Sequence, residues 1–64
     1  MKNTFYGIFE EQRMSIEDDW DDAEVSPVDC YRSRSAAMTA RRELMAGIKS
    51  NPLKRYVVTR EVME

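Results

Sequence analysis

The stretch "SRSAAMTARRELMAGIKSNP", residues 33–52, decides the architecture. Alanine, methionine, arginine, glutamate and leucine lose little side-chain freedom on entering a helix. Ala37, Ala40, Leu44 and Ile48 recur at spacings of three and four, with Met38, Arg41 and Met45 flanking them. That spacing lays one narrow apolar stripe along a helix. Ser33 or Ser35 can cap the start, because a hydroxyl accepts an otherwise orphaned backbone N–H. Asn51-Pro52 blocks extension, since a residue before proline is pushed out of the helical region. The pattern predicts a helix from Arg34 to Lys49, with Gly47 weakening its last turn. A helix with one stripe needs a second layer to bury it.

The flanking segments supply that layer. "NTFYGIFEE", residues 3–11, is rich in aromatic and β-branched residues and reads as a strand. Alternation puts Phe5, Gly7 and Phe9 on one face and Thr4, Tyr6 and Ile8 on the other. Gly7 marks a close approach or a bulge. "LKRYVVTREVM", residues 53–63, reads as a second strand, with Tyr56, Val58, Arg60 and Val62 on one side and Val57, Thr59 and Met63 on the other. A third, short edge strand is expected at about 27–31, confined by Pro27, which cannot donate to a ladder. Residues 12–24, "QRMSIEDDWDDAE", read as a polar loop with one helical turn.

These elements imply a small two-layer α+β domain, an approximately three-stranded sheet packed on one helix in the order β-β-α-β. It is a single domain over residues 1–64. The helix is long enough to cross over between two parallel strands, and the first or the last strand should be central. The far sheet face would leave Phe5, Phe9 or Val57 partly exposed, unless the acidic loop folds back with Ile16 and Trp20 to cover it. Such a face, and a core that in so short a chain rarely supplies more than about 3–5 kcal/mol, point to self-association as a homodimer or to a partner.

Composition narrows the chemistry. With one cysteine, Cys30, and no histidine, neither an internal disulfide nor a structural zinc site can form. No apolar run approaches the ~20 residues of a bilayer span. "MKNTFYGIFEEQ" lacks the apolar core of a secretory signal, so a reducing cytoplasm is the expected location. No histidine base stands beside Cys30, and no Gly-rich loop or nucleophile elbow occurs, so an enzyme is not expected. No cofactor is expected either.

Charge is the remaining signal. Residues 1–30 carry nine acidic side chains against two basic ones, whereas residues 31–64 carry eight basic against three acidic. Asymmetry of this kind marks interaction surfaces, or halves that neutralise each other on folding. Within "SIEDDWDDAE", Glu17, Asp18, Asp19, Asp21, Asp22 and Glu24 surround Trp20. An EF-hand loop requires a central glycine, and this stretch has none. Three readings stay open: a loose magnesium site, a solvated loop, and a docking surface with Trp20 as anchor and the carboxylates steering a basic protein partner. The docking reading is preferred. The alternative uses Arg34, Arg41, Arg42 and Lys49, with Lys54 and Arg55, to track nucleic-acid phosphates. The acidic overall balance and the absence of a helix-turn-helix, RNP or zinc-finger pattern weigh against it.

Short, charge-rich, free of motifs and bracketed by strands, the chain resembles the small accessory proteins that bacteriophages and prophages encode. The resemblance implies a protein that inhibits or redirects a host complex handling nucleic acid or defence by occluding a surface. The expected function is therefore a non-catalytic protein-interaction module acting through its acidic surface, with no membrane partner.

Overall fold

The computed structural model describes residues 3–23, 26–49 and 51–63. The elements are β1 (Asn3–Gln12), β2 (Asp21–Asp22), β3 (Asp29–Tyr31), α1 (Arg34–Ile48) and β4 (Lys54–Met63). The chain is a small α+β domain in which α1 packs against an antiparallel sheet of four strands. β1 is the central strand. β4 runs antiparallel along its whole length, from Asn3 opposite Met63 to Gln12 opposite Lys54. β2 and β3 share the other side of β1, β3 against its middle at Tyr6–Ile8 and β2 against its end at Glu11–Gln12. Ten residues at about 3.3 Å each give a ladder of about 33 Å, which sets most of the molecule's 42 Å length.

β3 and β4 are each antiparallel to β1, so they run parallel to each other with β1 between them. α1 is the crossover that joins them. Ser33 caps it, accepting from the Ala36 N–H at 3.1 Å. α1 ends at Ile48, and Lys49 follows with φ 52° and ψ −138°, while its N–H bonds to the Ala46 carbonyl.

The expected stripe faces the sheet. Ala37 is fully buried, and Ala40, Arg41, Leu44, Met45 and Ile48 are half-buried. Alanine at 37 lets the helix approach Ile8, the one large side chain among the described residues that is fully buried. Tyr56, 8% exposed, completes the core. Its ring lies on the helix face opposite Glu10, to which its hydroxyl donates at 3.1 Å. On the far face Phe5, Phe9 and Val57 are half-buried, as the alternation implied. Part of their cover comes from Pro27. A Cβ on Gly7 would stand 3.0 Å from the Phe9 ring and 3.3 Å from Pro27, so glycine here admits both over the sheet.

Two departures from expectation concern the acidic segment. Asp21 and Asp22 form β2, which aspartate's poor strand preference conceals; their pairing comes from the exposed edge of β1. Ile16 does not fold back and stays 66% exposed, whereas Trp20 does and is half-buried.

Ile8→Ala should cost about 2–5 kcal/mol, as large-to-small changes at fully buried sites do, and half-buried Leu44→Ala should cost less. Urea midpoints measure both, and an unchanged midpoint for Ile8→Ala would contradict the packing. Lys49→Gly should raise the midpoint by about 1 kcal/mol of stability, because glycine adopts positive φ without steric cost.

Candidate interaction surface

The acidic segment is built onto one end of the β1–β4 ladder. Beyond β1, the Arg13 N–H donates to the Leu53 carbonyl at 3.1 Å and continues the ladder by one step. The Arg13 Nε donates to the Pro52 carbonyl at 2.9 Å. The chain then turns, with the Asp18 N–H bonded to the Ser15 carbonyl at 3.1 Å. It returns as β2, and the Ala23 N–H reaches the Glu10 carbonyl at 2.9 Å. The excursion is tied at both ends.

Trp20 braces its middle. The guanidinium carbons of Arg13 and Arg55 lie over the ring, 4.3 and 4.4 Å from its centroid. Each contact contributes about 0.5–1 kcal/mol where water still reaches it. Arg55 also donates from Nε to Glu11 Oε1 at 2.7 Å, its directly opposite partner in the ladder. Glu11 stands opposite Asp22 on its other side. Like charges so placed repel, and Arg55 offsets that repulsion.

The five described carboxylates of the candidate surface, Glu17, Asp18, Asp19, Asp21 and Asp22, are all exposed. Among the described residues none of the five is ion-paired or accepts a side-chain hydrogen bond. Glu24 lies outside the described residues. No group of three acidic or cysteine side chains among the described residues is arranged to hold a metal ion. Trp20 is thus the brace of the loop, and the carboxylates are its outward face.

The basic residues divide. Lys54 pairs with Glu10 at 3.0 Å, Arg55 with Glu11, and Arg41 donates from Nε to the Tyr56 carbonyl at 2.7 Å. Arg34, Arg42 and Lys49 are exposed. Half of the six cations considered for phosphate tracking therefore hold the fold together. Arg13, Glu10 and Glu11 were not legible as parts of this end; the one hint was their position beside the end of β1.

A second polar cluster stands on β3. Asp29 accepts from the Tyr31 hydroxyl at 2.7 Å and from the Cys30 N–H at 2.9 Å. The hydroxyl bond, then the backbone bond, hold the Asp29 carboxyl below its ordinary range, and the same carboxylate pushes the Tyr31 phenol up. Cys30 is an exposed free thiol. Among the described residues no helix is long and apolar enough to cross a membrane. Comparison with protein-family models, curated proteins and solved structures returns no significant match.

Glu10 gives this end a pH dependence. The Lys54 ammonium, and next the Tyr56 hydroxyl, hold its carboxyl below the ordinary 4.5 against the opposing effect of burial. A lowered folded pKa stabilises the fold above about pH 4.5, and that stability is lost as pH falls through the folded value. Glu10→Gln should flatten the dependence of the urea midpoint on pH below about 5; an unchanged slope would show that the pair is inert. Trp20→Ala should leave the cooperative melt in place but release the loop, read as faster proteolytic cutting within residues 14–19. Unchanged cutting would show that the stack does not hold the segment.

Proposed function

We propose that this chain is a non-catalytic interaction module that engages a protein partner with a basic surface through Glu17, Asp18, Asp19, Asp21 and Asp22. One observation carries the reading. These carboxylates are exposed on a loop tied at both ends, while Lys54 and Arg55 are paired with Glu10 and Glu11, and Arg13 and Arg55 lie over the Trp20 ring. The Arg13 charge offsets only part of the field of five carboxylates, and such fields steer an oppositely charged partner and raise its association rate. A loop already braced by Trp20 loses less entropy on docking than a free one would.

Carboxylates in a short row present acceptors much as phosphates do. A groove that accepts nucleic acid would accept this end of the molecule, and occluding it would inhibit a host complex handling nucleic acid or defence. This agrees with the resemblance to small phage accessory proteins. The place of action on this reading is the cytoplasm. Direct nucleic-acid binding by α1 is the weaker alternative, because Arg41, Lys54 and Arg55 are already held by the fold.

The test compares two charge variants of the tagged protein in a pull-down from cytoplasmic lysate. Converting Asp18, Asp19, Asp21 and Asp22 to Asn should abolish capture of the partner, whereas converting Arg34, Arg42 and Lys49 to Gln should not. Capture by the wild type should also fail at about 1 M salt, where screening acts within about 3 Å. Capture that survives the Asn variant and is lost in the Gln variant would overturn the acidic reading in favour of the basic one.

A further inference from the structure

The outer edge of β4 is half closed and half open, and the hydrogen bonds say where the boundary falls. In an antiparallel ladder, directly opposite residues alternate between those that bond each other and those whose N–H and C=O point outward. The Arg13 N–H bonds to Leu53, so odd-numbered residues of β4 face β1. The Ile8 and Glu10 carbonyls, opposite Val58 and Tyr56, accept from Val28 and Ala23 on the other side of β1, which fixes the same parity. Lys54, Tyr56, Val58, Arg60 and Val62 therefore point their backbone groups away from the sheet.

At Tyr56 both of these groups are taken by α1. Its carbonyl accepts from Arg41 Nε at 2.7 Å, and its N–H donates to Met45 Sδ at 3.4 Å. At Val58, Arg60 and Val62 no side chain or backbone group among the described residues takes them. Thr59 and Arg60 are exposed, and Val62 is 49% exposed. An extended strand with such an edge is a template for one more strand. The hydrogen bonds from helix side chains to this edge stop at the point where that template begins; Arg34 lies beside Val58 and Arg60 without bonding their backbone.

We propose that this open edge pairs with the same edge of a second copy, β4 against β4 in antiparallel orientation, giving a two-fold dimer with one continuous sheet. The side chains select the copy and its register. Centring the pair on Thr59 sets Thr59 opposite Thr59, Val58 opposite Arg60 and Val57 opposite Glu61 of the second copy. Threonine pairs are favourable across strands, and the two valine pairs set no like charges against each other. The same register places Glu61 diagonal to Arg55 of the second copy, opposite charges within reach of long side chains. Centring on Arg60 or on Glu61 instead would oppose like charges on the two-fold axis. An isologous contact uses one patch twice and closes, so the edge is consumed and does not propagate into fibres. This surface is separate from the acidic end, and neither needs the other.

Sedimentation over micromolar to millimolar concentration tests the pairing. The wild type should dimerise, and the variant with Asp18, Asp19, Asp21 and Asp22 changed to Asn should dimerise equally. Arg60→Pro removes an outward N–H and leaves every bond to β1 in place, so it should keep a cooperative melt and weaken the dimer at least about tenfold. Thr59→Pro, which removes a bond to β1, should instead destabilise the fold. Amide exchange of the wild type gives a reading that needs no variant: Val58 and Arg60, opposite each other in this register, should become protected as concentration rises, whereas Val62, opposite the occupied Tyr56, should not. A wild type that stays monomeric would overturn the proposal. So would a dimer that survives Arg60→Pro, or one in which the Val58 and Arg60 amides exchange as fast as in the monomer; a peptide strand or another surface would then be the occupant.

Discussion

The β1–β4 ladder is the constraint on which the rest of this molecule depends. It runs for ten residues on each strand, and its register fixes which side chains reach each face. A shift of one residue would reverse every side chain of β4 across the sheet. Tyr56 would leave the helix, and Arg55 would leave Glu11 and Trp20. The core, the braced loop and the divided outer edge are thus consequences of one pairing. The helix reinforces it from one side: Ala37 seats α1 against Ile8, while Arg41 and Met45 hold the backbone of Tyr56.

Charge is distributed by the same register. The halves of the chain differ in sign, and folding brings part of each together, since Glu10 meets Lys54 and Glu11 meets Arg55. Each of these pairs joins residues far apart in sequence and adjacent in space. Cross-neutralisation is therefore real and partial. It uses the carboxylates on β1 and leaves those of the loop facing water, so the acidic end survives as a surface feature after folding.

Much of the architecture was legible because it rests on local pattern. The apolar stripe and the Ser33 cap placed α1 within one residue, from Arg34 to Ile48 against the expected Lys49. Alternating apolar residues placed β1 and β4 with similar accuracy, and Pro27 confined β3 to Asp29–Tyr31. What was not legible depends on long-range pairing. No local signal makes Asp21-Asp22 a strand, because the pairing comes from the backbone of β1. Nothing near Trp20 announces Arg55, which reaches it only through the ladder. Equally, the exposed carboxylates flanking Trp20 are what a solvated loop would show, so the sequence alone left the ring's role open between partner anchor and cover for the sheet.

The ladder also governs when the molecule can exist. Its pairs join residues 42 to 60 positions apart, from Gln12 with Lys54 to Asn3 with Met63. During synthesis at about 5–20 residues per second, β1 therefore waits some 2–12 s for its long neighbour to be made. The helix can form in that interval, since its contacts are local, but it has no complete sheet to pack on. Phe5, Ile8 and Phe9 pass those seconds without the strand that will cover one side of them. Contacts of such sequence separation also slow closure in the released chain, because the loop entropy is lost before the pairing compensates it. The interval of exposure is a property of the topology itself, and a circular permutant that placed β1 directly after β4, joining Met63 to Asn3 across the ladder, would remove it while keeping every contact in the finished fold.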